Sequence, residues 1–175
     1  LGFPVPPGFT ITTEVCTHYM NEGEFPVSLK KQVSESLLKI ESNMNQKFDS
    51  KSNPLLLSVR SGARQSMPGM METVLNVGLT CQTIPGLIKQ SDDERFVYDA
   101  YRRLITMYSD VVMEKSQGLI PKYGKGIREQ LEIILDEYKS THNYTKDTDL
   151  TAKDLKQIAS LYKNCIKETL GESFP

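Results

Sequence analysis

Apolar residues recur at helical spacing in several parts of the chain. Between positions 28 and 45 they lie three or four residues apart, at Leu29, Val33, Leu37, Ile40 and Met44. This spacing places them on one face of an α-helix. The same pattern predicts further helices over about 92–113, 127–138 and 151–171. Thr151 and Asp154 form a capping sequence at the start of the last helix, and Gly171 is placed to end it.

Shorter segments have the character of strands. Phe9 to Thr12 alternates apolar and polar residues, as a half-buried strand does, and Thr12 or Thr13 can then cap a short helix. Leu55 to Val59 is apolar enough to predict a strand in the middle of a sheet. Thr73 to Val77 is the predicted next strand. We therefore expect an α+β fold that is mainly helical, with a small mixed sheet.

The two halves of the chain differ in pattern, and this difference predicts its organisation. Residues 1–80 combine strands with helices, which indicates a mixed α/β part. Residues 81–175 contain only helical patterns broken by glycine and proline, which indicates a helical lobe.

Composition narrows the class of protein. The 175 residues carry 21 basic and 22 acidic side chains, a net charge of −1, which argues against a nucleic-acid-binding protein. No apolar run reaches the ~18 residues of a membrane helix, so we expect no membrane partner. The three cysteines lack metal or disulfide spacing, which favours a reducing compartment, either the cytoplasm or an organelle. We expect Cys16 and Cys165 to be buried structural thiols on helix faces.

The candidate chemistry lies where the predicted central strand ends. Arg60, Ser61 and Gly62 follow the apolar run, and Arg64 comes two residues later. Guanidinium groups beside a glycine-containing turn are suited to bind phosphate oxygens. The alternative is that Arg60 only pairs with a nearby carboxylate, and Arg64 could equally brace the loop.

Methionines follow the arginines in a loop rich in glycine and proline. Met67 and Met71, with Thr73 just beyond them, could cover an adenine ring, because methionine is polarizable and adaptable. Such methionines serve equally often as filler between a sheet and a helix. The acidic residues at 92–94 suit a helix N-terminus better than a metal site. We assign no metal ligand in this chain, and no catalysis to His18 or His142.

The sequence from 58 to 71, Ser-Val-Arg-Ser-Gly-Ala-Arg-Gln-Ser-Met-Pro-Gly-Met-Met, resembles the pyruvate phosphate dikinases. Val5 to Thr13 is similar to the early strand of that family, and the stretches 98–103 and 107–112 are similar to its following helix. Glu72 stands where the family commonly has aspartate, and Gln65 where a small residue is common. The related water dikinases, phosphoenolpyruvate synthase among them, diverge in the Met-Pro-Gly-Met-Met part.

The resemblance implies that the chain is part of an ATP-grasp nucleotide-binding domain within a longer enzyme. In that family the arginine matching Arg60 contacts ATP phosphates, with Ser61, Gly62 and Arg64 beside it, and Met71 is placed for the adenine. The family interconverts ATP, pyruvate and phosphate with AMP, phosphoenolpyruvate and pyrophosphate through a phosphohistidine.

The resemblance also implies what this chain lacks. A lysine-bearing loop would precede Leu1, and the ligands of Mg2+ would follow Pro175. The phosphohistidine domain and the phosphoenolpyruvate/pyruvate domain would be partners within the same longer chain, and the parent enzyme would be a homodimer. We expect this piece alone to be inactive. The alternatives are a non-catalytic helical interaction module and a phosphoenolpyruvate synthase-like water dikinase.

Overall fold

The structure is a computed structural model that describes residues 5–62, 72–118 and 126–175. The helices are α1 (Thr13–Glu22), α2 (Leu29–Met44), α3 (Ile84–Ser91), α4 (Glu94–Tyr108), α5 (Ile127–Thr141) and α6 (Ala152–Leu170). A π-helical segment, Ser109–Glu114, continues α4, and a 3-10 turn spans Asp147–Asp149. The strands are β1 (Leu57–Arg60) and β2 (Thr73–Val77), which pair antiparallel. The predicted α+β, mainly helical class is confirmed, and the sheet of the described residues is this antiparallel pair rather than a mixed sheet.

The core lies among α4, α5 and α6, and β2 packs against α4. Fully buried apolar side chains from these helices meet there, among them Ile105, Leu131, Leu155, Ile158 and Tyr162. Val74 of β2 and Leu79 just after it belong to the same apolar cluster. The strand pair is therefore held on the helices through β2. Whether residue 80 separates two domains stays a prediction.

Local sequence signals set the helix ends as predicted. The Asp93 carboxylate accepts a hydrogen bond from the Phe96 amide at 2.8 Å and begins α4. Thr151 and Asp154 form a reciprocal capping box at the start of α6. Gly171 ends α6 with a φ of 70°, a left-handed conformation that favours glycine. These signals act within one turn of helix, which is why sequence alone reveals them.

One predicted strand is absent, and a second differs in its bounds and burial from the prediction. Phe9 to Thr12 forms no strand, and its residues are exposed. Leu55 is buried, at 3% exposure, but the strand itself is Leu57–Arg60, and its last three residues are exposed. Alternation and apolar runs predict which side chains could be buried, whereas a strand also requires a neighbour to accept its backbone hydrogen bonds. Within the described residues, β2 is the only strand that pairs with β1.

The apolar faces of the first two helices are largely exposed, and the predicted burial of two cysteines was wrong. α1 contains no buried residue, and α2 buries only Ile40. Cys16 is exposed and Cys165 is half-buried, so neither is the buried structural thiol that the pattern indicated. The apolar faces of α1 and α2 exist, but no other helix or strand of the described residues packs extensively on them.

The polar stretch between α5 and α6 is firmly attached rather than a free linker. Arg95 donates to the carbonyl oxygens of Leu150 and Asp147 at 2.8 and 2.7 Å. The Asp147 carboxylate accepts from Lys139 and Arg102 at 3.1 and 3.3 Å. Polar residues therefore predicted a loop correctly, but they also supply the contacts that fix it.

Among the described residues, the structure contains no helix long and apolar enough to cross a membrane.

We predict that Asp154 stabilises the fold in a pH-dependent way. Its carboxylate accepts hydrogen bonds from the Thr151 amide and hydroxyl, Tyr138 and Tyr144 at 2.6–3.2 Å. Burial alone would raise the pKa of this carboxyl, but these hydrogen bonds lower it from 3.8 to about 2. A carboxyl whose pKa falls on folding stabilises the fold above its unfolded pKa, and loses that contribution as the pH falls through its folded pKa. The contribution should disappear between about pH 4 and pH 2.

Asp154→Asn should lower the free energy of unfolding at pH 7 by about 1.5–3 kcal/mol, the range for hydrogen bonds to a charged group. Its stability should also depend less on pH between about 4 and 2 than that of the parent chain. Urea unfolding at a series of pH values measures both effects. Glu137→Gln on the exposed side of α5 is the matched control, because the Glu137 carboxylate has no partner among the described residues. Equal curves for the two variants would contradict the prediction.

Candidate functional site

The end of β1 carries the predicted anion-binding residues and is fixed by β2. Arg60 lies directly opposite Thr73, and Val59 opposite Val74. The pairing is irregular between Leu57 and Val59, where β2 contributes one extra residue. Asn76 lies in this bulge with a φ of 61°, a conformation that asparagine tolerates better than most residues.

Ser61 joins the two strands immediately after Arg60. Its amide donates to the Glu72 carbonyl oxygen at 2.9 Å, and its hydroxyl accepts from the Glu72 amide at 2.8 Å. The hydroxyl oxygen also lies 3.2 Å from the Glu72 carbonyl oxygen, to which it donates. These contacts hold Ser61 and Glu72, on either side of residues 63–71, at a fixed separation. A serine is suited to this role because its short hydroxyl both donates and accepts.

The one carboxylate next to this point is already paired. Glu72 forms an ion pair with Lys115, which lies at the end of the π-helical segment after α4. This contact joins the strand pair to the helical part of the chain across 43 residues. Sequence reasoning missed Lys115, because no local pattern places it near Glu72.

Arg60 has no partner within the described residues. Those residues include every aspartate and glutamate of the chain, and none has a carboxylate oxygen within 4.0 Å of the Arg60 guanidinium. The other described arginines all donate to carbonyl or carboxylate oxygens: Arg95, Arg102, Arg103 and Arg128. The described residues thus give no support to the alternative that Arg60 pairs with a carboxylate. Its exposed guanidinium can bind an external anion.

The structure describes only some of the remaining predicted site residues. Gly62 is exposed, and a Cβ built on it would meet no atom within 4 Å. Thr73 is half-buried opposite Arg60. Arg64, Met67 and Met71 lie outside the described residues. The structure thus brings Arg60, Ser61, Gly62 and Thr73 to one end of the strand pair.

In the described part of the chain, no group of three or more histidine, cysteine, aspartate or glutamate side chains could hold a metal ion.

The chain is similar in sequence to several known proteins. It is 46% identical over its whole length to pyruvate, phosphate dikinase of Clostridium symbiosum, of which it covers 19%. It is 43% identical to that of Rhizobium meliloti and 39% identical to that of Giardia intestinalis, again over all of its length and 18% and 19% of theirs.

The chain belongs to the pyruvate, phosphate dikinase family. It spans less than one fifth of the length of the curated relatives that it matches. No protein-family model matches it. The resemblance carried by the 58–71 segment and its flanks is therefore confirmed at the level of the family, while the roles of the single residues stay predictions.

We predict that the Ser61 hydroxyl stabilises the contact between Ser61 and Glu72. Ser61→Ala should speed hydrogen exchange of the Glu72 amide by about fivefold, equivalent to about 1 kcal/mol for the lost hydrogen bond. Ser58→Ala in the same strand is the matched control, since the Ser58 hydroxyl has no hydrogen bond within the described residues. Residue-resolved hydrogen exchange measures the effect. Unchanged exchange at Glu72 in Ser61→Ala would show that the hydroxyl contributes nothing there.

Proposed function

We propose that this chain is an ATP-binding portion of a pyruvate, phosphate dikinase, and that Arg60 binds the phosphates. The observation that carries the proposal is the guanidinium of Arg60, which lies at the end of β1 and has no partner among the described residues. Glu72, the residue before Thr73, is already bound to Lys115. Relatives named pyruvate, phosphate dikinase that match the whole chain support the same function.

The proposed role of Arg60 follows from the chemistry of phosphoryl transfer. Charge on the phosphate oxygens must be stabilised, and the protein does this mainly by positioning and electrostatics. A guanidinium donates two parallel N–H groups to two phosphate oxygens, and the strand fixes their direction. Ser61 contributes a hydroxyl group, and Gly62 contributes backbone groups, beside the Arg60 guanidinium. We propose that three residues lie next to the adenine ring: Thr73, which is opposite Arg60, and Met67 and Met71.

The proposed reaction needs groups that this chain does not supply. Magnesium would supply positive charge to the nucleotide phosphates, and we propose that its protein ligands lie elsewhere in the longer enzyme. The phosphohistidine domain and the phosphoenolpyruvate/pyruvate domain are proposed partners in that same chain, with an ATP-grasp fold for the nucleotide-binding domain and a homodimer for the parent enzyme. The exposed apolar side chains of residues 5–44, such as Met20, Phe25 and Val27, support contacts with further parts of the enzyme.

The two alternative functions have less support. A non-catalytic interaction module would need no unpaired arginine at a strand end. A water dikinase of the phosphoenolpyruvate synthase type is less consistent with relatives that are named pyruvate, phosphate dikinase at 39–46% identity.

We predict that Arg60→Ala in the enzyme carrying this chain slows the nucleotide half-reaction on the order of 10³-fold, as expected for a positioned arginine in phosphoryl transfer. Arg60→Lys should restore little, because an ammonium group cannot reproduce the two parallel donors. Exchange between pyruvate and phosphoenolpyruvate should continue near its normal rate, since it does not involve ATP. Both half-reactions are measured on one preparation of each variant.

Lys89→Ala is the matched control for this experiment. It removes one positive charge from the exposed last turn of α3, and Lys89 has no ion-pair partner within the described residues. It should leave both half-reactions unchanged. Equal loss of both half-reactions in Arg60→Ala with a native circular dichroism spectrum, or loss of neither, would refute the role of Arg60 in binding phosphate.

A further inference from the structure

A second polar site lies beyond the other end of β2, around Cys81. The thiol is exposed in the turn that joins β2 to α3. Thr83 fixes this turn: it is fully buried, its hydroxyl donates to the Gly78 carbonyl oxygen at 2.9 Å, and it accepts from the Thr80 amide at 2.8 Å. The thiol is therefore presented on a rigid turn rather than on a free loop.

Two other elements bring polar groups to this thiol. The Lys163 ammonium of α6 donates to the Cys81 sulfur at 3.4 Å, and the Tyr101 hydroxyl of α4 lies 3.4 Å from it. The same ammonium lies 4.9 Å from the centre of the Tyr101 ring. Lys163 has no carboxylate within 4.0 Å among the described residues, which include every acidic side chain of the chain. Its positive charge therefore acts on the sulfur and the ring without a neutralising ion pair.

The surroundings of Cys81 lower the pKa of its thiol and so raise the fraction present as thiolate. Partial burial alone would raise the pKa of the thiol, but hydrogen bonds from Tyr101 and Lys163 and the nearby positive charge together lower it below its ordinary value. The thiolate, not the thiol, is the nucleophile in reactions of cysteine. The geometry and the charge thus both favour a reactive sulfur.

The thiol opens into a pocket of roughly 260 Å3 between α4 and α6. Lys156 and Lys163 contribute positive charge to its wall, Tyr98 and Tyr101 contribute aromatic rings, and none of the lining residues is acidic. Lys156 lies 6.0 Å from the centre of the Tyr98 ring. The pocket is slightly smaller than those that hold drug-sized ligands. It suits a small anionic group that is brought next to the sulfur.

The other cysteines provide internal comparisons. Cys16 is exposed on α1 and has no hydrogen-bond partner among the described residues. Cys165 is half-buried, and its neighbours are the neutral side chains of Gln130 and Thr169 at 3.8 Å. Cys16 thus provides an exposed thiol, and Cys165 a half-buried thiol, without a cation as hydrogen-bond partner.

We propose that Cys81 is a modification site that forms a mixed disulfide with a small anionic disulfide of the glutathione disulfide class. The Cys81 thiolate attacks one sulfur of the disulfide, the new sulfur–sulfur bond forms as the old one breaks, and the other half leaves as a thiolate. The attacking cysteine is oxidised and the departing half is reduced, so no further oxidant is needed. Lys163 stabilises the attacking thiolate, and Lys156 binds a carboxylate of the incoming disulfide.

The test uses two reagents on the purified protein that carries this chain. Glutathione disulfide probes the proposed reaction, and the neutral alkylating agent iodoacetamide probes nucleophilicity alone. Mass spectrometry of the resulting peptides gives a separate rate for each cysteine. Each unit by which a thiol pKa is lowered raises the thiolate fraction about tenfold and lowers its intrinsic reactivity about threefold. Because the first effect exceeds the second, we expect Cys81 to react faster than Cys16 with iodoacetamide at pH 7, and to exceed it by more with glutathione disulfide.

Variants separate the two lysines. Lys163→Met should slow both reactions of Cys81, and Lys163→Arg should preserve them because the charge remains. Lys156→Met should slow the reaction of Cys81 with glutathione disulfide but not its reaction with iodoacetamide. Lys153→Met is the matched control on the exposed surface of α6, since Lys153 does not line the pocket and has no partner within the described residues, and it should change neither rate.

The outcomes decide the proposal even if Lys163→Met fails to fold. Cys81 reacting no faster than Cys16 in the unmodified protein would overturn it, because the cluster would then only hold the turn against α4 and α6. Equal effects of Lys156→Met and Lys153→Met on the glutathione disulfide reaction would overturn the anionic specificity. Selective labelling of Cys81 that depends on Lys156 only with the anionic reagent would establish the site.

Discussion

The packing of α4 against α6 is the constraint on which the rest of the structure depends. Tyr101 and Ile105 of α4 and Ile158 and Tyr162 of α6 are buried in this contact. Arg102, buried in the same region, is neutralised by Asp99 at 2.7 Å, so the contact contains a paired charge rather than an isolated one. Such a pair stabilises little by itself, and each partner has a second one, since Arg102 also contacts Asp147 and Asp99 also contacts Arg103.

Both candidate sites take their geometry from that packing. β2 lies on α4, and β1 is positioned by β2, so Arg60 is placed by the helices although it belongs to neither. The ion pair between Glu72 and Lys115 adds a second link, from the strand pair to the end of the π-helical segment after α4. The Cys81 site is formed more directly, because its three groups come from the turn after β2, from α4 and from α6. A change in the α4–α6 contact should thus disturb both sites together.

The residues that sequence predicted well are those whose partners are close along the chain. The Thr151–Asp154 box and the Gly171 cap are complete within a few residues, so their pattern specifies their structure. The strand predicted at Phe9–Thr12 failed because a strand depends on a neighbour that the pattern does not identify. The end of β1 at Arg60 was predicted from an apolar run and a motif, whereas its pairing to Thr73 and the Lys115 contact needed the fold. Cys81, Tyr101 and Lys163 are separated by up to 82 residues, and no local pattern joins them.

The two sites lie at opposite ends of β2, and this separation bears on how they can interact. Thr73, opposite Arg60, and Val77 are the ends of a five-residue strand, about 13 Å apart at ~3.3 Å per residue. Cys81 comes four residues later along the chain, beyond the end of β2 that is remote from Arg60. Any influence of one on the other would have to pass through α4, which packs against β2 and carries Tyr101. We therefore expect modification of Cys81 to act on the proposed phosphate site through the position of β2.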